Sequence, residues 1–339
     1  MKALIMTENK FTSKKVLITG GIGFIGSNLA MRLIELGADV TMVDSLIPEY
    51  GGNLWNIEPI KDKVRINISD VRDGHSMKYL VQSQDYLFNL AGQTSHTDSM
   101  SDPHTDMEIN ARAQLYILEA CRKYNPEIKI VFASTRQMYG APQYLPVDEN
   151  HPLRPVDVNG INKMAGEWYH LVYNNVYGIR ASVLRLTNTY GPHMRVRDAR
   201  QTFLGIWIRR LIEGKPILVF GDGKQIRDFN YADDAVNAFL LAAESEDANG
   251  EIYNLGADDP INLKDTAEML VEINGEGSYE IVPFPEDRKA IDIGDYYGDY
   301  RKIRSQLGWK PVTSLEEGLR KTLDFYRKFY EHYWEADNA

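Results

Sequence analysis

A doubly wound parallel α/β sheet followed by a smaller α+β lobe is predicted by three observations. Apolar runs alternate with helically spaced segments through the first half, a glycine-rich turn follows the first run, and the pattern loosens past residue 190. The runs VLIT (16–19), VTMV (40–43), VRINI (64–68), YLFNL (86–90), KIVFA (129–133) and ASVLRL (181–186) are bounded by turn residues and read as strands. Between them, SNLAMRLIELG ends at Gly37 and EINARAQLYILEACRKY ends before Asn125-Pro126, both with helical spacing and a stop signal. Strand-helix alternation of this kind implies right-handed crossovers and a sheet covered on both faces. Beyond 190 come IWIRRLIEG, PILVFGDG, DDAVNAFLLAAES, EIYNLG and a last helix from Ser314 to Tyr333.

The chain has 339 residues, 43% of them hydrophobic, enough for a sizeable core and two closely packed lobes. A formal net charge of -10 argues against non-specific nucleic-acid binding, so any anionic ligand must be met by local cations. The single Cys121 has no disulfide partner in the chain and sits on a helix with one apolar face, where a packed core thiol is expected. Residues 1–13 lack the apolar region of a signal peptide, and no segment approaches the roughly 18 apolar residues of a membrane span. A cytoplasmic protein with a short tail at 1–13 is the expectation. The seven histidines show no ligand spacing, so no metal site is expected.

Gly20, Gly23 and Gly26 lie between the first strand and a helix starting near Ser27, the setting of a Rossmann-type dinucleotide turn. The first allows a tight turn, the second lets the backbone approach a pyrophosphate, and the third brings helix close to strand. Asp44 ends the second strand 18 residues after Gly26, where a carboxylate can accept from an adenosine ribose and would repel a 2'-phosphate. NAD is therefore expected over NADP, cradled by Gly20, Gly23, Phe24, Ile25, Gly26 and Asp44. The expected division is a tail at 1–13, an NAD-binding domain at 14–190 and a mainly substrate lobe at 191–339.

With TGGIGFIG at 19–26, DVRD at 70–73, NLAG at 89–92, STRQMYG at 134–140, LRLTNTYGP at 184–192, GDGKQIRDF at 221–229 and LGWKP at 307–311, the chain resembles the extended short-chain dehydrogenase/reductase family. Within it, it is similar to the nucleotide-sugar epimerases and dehydratases, over roughly residues 14–330. The resemblance implies that Asp70 and Val71 approach the adenine, that Ala91 and Gly92 line the nicotinamide ribose with Lys163 gripping it, and that Asn110 supports the sheet end beside the cofactor. It implies a sugar-nucleotide substrate held by Gln93, Arg136, Asn188, Arg227, Asp292 and Arg288 or Lys289. Guanidinium groups bind phosphate oxygens bidentately, which is how an acidic protein can hold a diphosphate. Helices at about 104–124 and 159–177 resemble the pair that forms a dimer interface in the family, so a homodimer is expected.

In the resembling enzymes a phenolate removes the sugar hydroxyl proton, aided by a Ser or Thr and by a Lys one helical turn on. Thr135 and Lys163 match, but Asn159 occupies the Tyr position. An amide has no useful titration near neutrality and is no general base. Three readings stay open: a water held by Asn159 and Thr135, another base, or a protein that binds its ligands with little turnover. The candidate bases are Tyr139, Tyr190, His96 and His193. Similar dehydratases place Asp-Glu after the catalytic Thr where this chain has Arg136-Gln137, which disfavours dehydration. A 4-epimerase passing through a keto sugar is the leading expectation, with a nucleotide-sugar dehydrogenase or 2-epimerase behind it and a non-catalytic NAD sensor as the rival. Arg136 has a further reading, contact with an anionic sugar substituent.

Overall fold

The computed structural model describes residues 10–50, 52–200 and 202–334. Strands form where the apolar runs place them: β1 Lys15–Thr19, β2 Asp39–Asp44, β3 Arg65–Ile68, β4 Tyr86–Asn89, β5 Lys129–Thr135 and β6 Ala181–Leu186. The strand Ile252–Asn254 pairs with β6, giving a seven-stranded sheet ordered Ile252–Asn254, β6, β5, β4, β1, β2, β3. Every pairing in it is parallel.

Covering both faces buries successive side chains in different clusters. Val16 and Ile18 pack with Leu29, Leu33 and Phe239, whereas Leu17 packs with Ile117, Leu118 and Cys121 on the other face. That is why β1 reads as an unbroken apolar run. Burial pushes the Cys121 thiol up to about 12, as befits a core thiol. The outermost strand, β3, is exposed on both faces, because a sheet edge has no second neighbour.

Two expected boundaries shift. Residues 1–9 of the expected tail lie outside the described residues, but Phe11 is 2% exposed and rests its ring on Tyr86 at 5.2 Å. The division near 190 also needs amendment, since the helix Ala232–Glu244 covers the main sheet and Ile252–Asn254 extends it. The chain leaves β6 to build the second lobe, returns, and leaves again. The return was hidden because DDAVNAFLLAAES and EIYNLG look alike whichever lobe they serve. The remaining second lobe has its own core, including Trp207, Ile208, Leu211, Leu270, Leu323 and Tyr326.

The long helix Val158–Tyr177 starts at Asp157, whose side chain accepts from Gly160 N at 2.7 Å, and stops at Gly178 with φ 71°. On its buried side His170 stacks on Phe132, donates from Nδ1 to Gly166 O (2.7 Å), and presents Nε2 to Asn89 Nδ2 at 3.2 Å. Burial lowers this imidazole from 6.5 to about 4, so the unfolded chain binds more protons between those values. Stability present above pH 6.5 is accordingly lost as pH falls towards 4, by about 3 kcal/mol for a shift of this size. Chemical denaturation of His170→Gln should show a shallower acid limb than the parent, and identical limbs would exclude this assignment. His193, also held near 4 by burial, supplies the part that remains.

Candidate active site

Strand order reverses between β1 and β4, and ligands of open α/β sheets bind in the crevice at the carboxyl ends of such strands. A cavity of about 570 Å³ opens there and runs from Asp44 and Asp70 to Arg288 and Asp292.

At its first end, the helix Phe24–Glu35 begins immediately after the glycine turn. Its N-cap, Gly23, makes no side-chain cap, and no acidic residue stands in its first turn. The first N–H groups are thus left for an anion. A Cβ at Gly26 would lie 2.3 Å from Gly20 O, so only glycine permits this approach of helix to strand. Asp44 is aimed by Ile22 N (3.1 Å) and Leu46 N (2.9 Å), while burial raises its pKa. Asp70 is gripped by Arg72, with Nη2 at 2.6 Å; burial opposes its ionisation, but the hydrogen bonds from Arg72 outweigh that and hold it below the usual range. Val71, Ala91, Gly92, Phe24 and Ile25 complete this wall. Free helix N–H groups opposite a carboxylate suit a pyrophosphate flanked by a ribose hydroxyl.

At the far end stand two arginines, Arg227 buried and Arg136 half-buried. Arg227 donates to Ile226 O (2.9 Å) and lies 3.5 Å from Asp292 Oδ1; burial first, and repulsion by Arg136 second, lower its pKa to about 10. Arg136 donates to Asn188 Oδ1 at 3.0 Å and lies over the Tyr296 ring, but its Nη1 is buried without a partner. Among the described residues it makes no ion pair. Its pKa is lowered by burial. Arg288 reaches this end over Phe220, whereas Lys289 is exposed and off the wall.

Between the two ends lie Thr135, Asn159, Lys163 and His96. Thr135 Oγ1 accepts from Gln137 N at 3.2 Å. Lys163 Nζ donates to Ala133 O at 3.2 Å, and burial lowers it to about 8 although Asp106 works the other way. Asn159 donates through Nδ2 to Gln93 O (2.8 Å) and Asp106 Oδ2 (3.0 Å). His96 Nδ1 stands 3.0 Å from Asp157 Oδ2.

The family model for the NAD dependent epimerase/dehydratase family matches residues 16–256. The chain belongs to this family. It is 34% identical, over 92% of its length and 98% of the relative, to a putative UDP-glucose 4-epimerase of Methanocaldococcus jannaschii. The UDP-glucose 4-epimerase of Thermotoga maritima, solved with UDP-glucose, superposes with a TM-score of 0.86 at 32% identity, covering 93% of this chain and 99% of that one. That of Thermus thermophilus, solved with NAD, gives 0.83 at 30% identity and the same coverages.

As a member of the NAD dependent epimerase/dehydratase family the chain uses NAD, and the glycine turn, Asp44, Ala91, Gly92 and Lys163, which line this cavity, are the residues that would hold it. Several expected site residues are placed otherwise. Gln93 is 2% exposed behind the cavity wall, its amide donating to Ser95 O (2.9 Å) and its carbonyls receiving Asn159, so it does not face a substrate. Asn110 is fully buried in a π-helical turn, Glu108–Arg112, and donates to Gln93 O (2.9 Å) and Asp106 (3.0 Å). It supports the loop after β4 rather than touching a ligand. With both of its amide hydrogens directed into this network, Asn159 has only its oxygen for a water or a sugar.

Three of the candidate bases fail on position. Tyr139 is buried, donates to Asn254 Oδ1 (2.7 Å), and is pushed up to about 12 by burial. Tyr190 is 1% exposed, donates to Leu315 O (3.3 Å), and burial raises it further. His193 lies off this cavity against Asn28 and Phe325. Only His96 lines the cavity. Asp157 was missed by the sequence reading, although an Asp just before a helical run is the signal for an N-cap. Among the described residues there is no metal-binding cluster and no helix long and apolar enough to cross a membrane.

Proposed function

We propose that this chain is a nucleotide-sugar 4-epimerase, oxidising a sugar hydroxyl to a transient ketone and reducing it from the other face. The observation that carries the substrate class is the Arg136–Arg227 pair. Two guanidinium groups that repel each other, one of them with an unpaired buried Nη1, sit at the opposite end of the cavity from Asp44. A diphosphate supplies the charge that relieves both. Epimerisation is favoured over dehydration because the side chains after Thr135 do not form an acid-base pair. Arg136 turns to Asn188, and Gln137 is spent on Asp157 at 2.8 Å. The relatives named above as UDP-glucose 4-epimerases agree with this choice.

Purified protein incubated with a panel of UDP-, GDP-, CDP- and dTDP-sugars should convert one or more into the 4-epimer, seen by chromatography, with transient NADH absorbance. NAD binding with no conversion across the panel would favour the non-catalytic binder, to which the engaged Asn159 amide lends support. Homodimerisation through the helix Val158–Tyr177 is part of the same reading. Ile161, Trp168, Val172 and Val176 form one stripe along it and are 47–65% exposed, an unusual apolar face for a monomer. Light scattering should give a dimer mass and Trp168→Glu a monomer; a monomeric parent at micromolar concentration would remove the proposal.

A further inference from the structure

We propose that His96, oriented by Asp157, is the proton acceptor that stands in for the absent phenol. The proposal rests on the oxidoreductase reading above. His96 begins the short helix His96–Ser101, capped by Ser95. Its side chain is 39% exposed, yet Nδ1 is buried, makes no hydrogen bond of good geometry, and lies 3.0 Å from Asp157 Oδ2, within ion-pair range. The open edge of the ring, carrying Nε2, is therefore the one available to the cavity that His96 lines.

Asp157 is held by two hydrogen bonds. Gly160 N donates to Oδ1 at 2.7 Å and Gln137 Nε2 to Oδ2 at 2.8 Å, while its side chain is 0% exposed. Burial opposes its charge, but His96 and these hydrogen bonds outweigh burial and keep the carboxyl below its ordinary range. A fixed carboxylate 3.0 Å from Nδ1 favours the tautomer that carries its hydrogen there, with Nε2 free, and stabilises the imidazolium once a proton arrives. The position is equally constrained. Gln137 is two residues from Thr135, and Asp157 two residues from Asn159, so the dyad is tied to both residues that mark the expected hydroxyl site. Charged groups on the same cavity wall include Arg136, Lys163 and Arg200, the last paired with Asp98 at 2.9 Å.

In the oxidation half-step the sugar O–H bond breaks and its proton passes to Nε2, the C–O bond becomes C=O, and hydrogen leaves carbon as hydride with NAD as oxidant. In the return half-step carbon regains hydride and the imidazolium gives its proton back to oxygen. Atoms and charge balance over the cycle.

The test compares the NAD-loaded parent, His96→Gln and His96→Gln/Asn159→Tyr. General-base assistance is worth roughly 100- to 10,000-fold, so His96→Gln should lower kcat by at least about 100-fold with KM nearly unchanged. It should also abolish the low-pH limb of kcat/KM, while a high-pH limb from Lys163, near 8, persists. Adding Asn159→Tyr should restore a substantial part of the rate, since a phenol one turn from Lys163 can take the proton. A His96→Gln protein with unchanged kcat and an unchanged low-pH limb would overturn the proposal. A readout independent of turnover is the His96 ring signal in NMR. UDP-glucose should shift it more than UDP does; equal effects would also overturn the assignment. A parent that shifts this signal yet forms no NADH with any sugar would instead sink the oxidoreductase reading.

Discussion

Gly26→Ala should abolish useful NAD binding, raising Kd on the order of 100-fold or more by calorimetry, a loss of about 2.8 kcal/mol. The cause is steric. The added methyl would stand 2.3 Å from Gly20 O and 2.8 Å from Gly21 Cα, both backbone atoms, so no side chain can swing away to make room. The helix Phe24–Glu35 must back off from β1, taking with it the N–H groups that would meet a pyrophosphate. Overpacking of this kind also lowers stability by about 1–3 kcal/mol. Gly26→Ala protein that binds NAD as the parent does would show that the helix N-terminus is not the anchoring point.

Arg136→Met should separate stability from binding. Its guanidinium is buried with Nη1 unpaired and no carboxylate in ion-pair range among the described residues, so the free protein bears the cost of a desolvated charge. Replacing it with an apolar side chain of similar length should leave the melting temperature unchanged or raise it. Affinity for UDP-glucose should fall about 10- to 100-fold, the worth of a charge-assisted hydrogen bond. The buried Arg185 is the contrast. Its Nε donates to Glu167 Oε2 at 3.0 Å, and both side chains are almost wholly enclosed, at 2% and 0% exposure. Arg185→Met leaves Glu167 charged and buried with only the Ser134 hydroxyl (2.8 Å) donating to it, and breaking a buried pair in this way costs about 3–5 kcal/mol. Thermal unfolding of the two variants, with titration of Arg136→Met, tests the pair of expectations. A strongly destabilised Arg136→Met with unaltered affinity would make Arg136 a structural residue.

The parallel sheet and the glycine turn at one end of the crevice were legible because their signals are local. A strand enclosed on both faces needs an unbroken apolar run, as VLIT shows. A helix that meets its strand at the distance found here tolerates only glycine at position 26. Asp44 and Lys163 follow at chain positions that the topology then carries to the crevice. The absence of a phenol at 159 was equally plain from one residue.

What replaces it was not, because the relevant neighbours come from separate segments. Gln93 and Asn159 each read as available polar groups, and only folding shows the Asn159 amide hydrogens consumed by Gln93 and Asp106. His96 and Asp157 lie 61 positions apart in the chain, and nothing local to either reveals that they stand 3.0 Å apart, His96 on the cavity wall and Asp157 enclosed behind it. By itself, then, the sequence determined the fold class and the glycine turn that opens one end of the cavity, since both depend on periodicity and on glycine. Tertiary structure decided which polar side chains remain available for chemistry. That depends on which hydrogen-bonding groups are already satisfied, a property of packed neighbours and not of chain order.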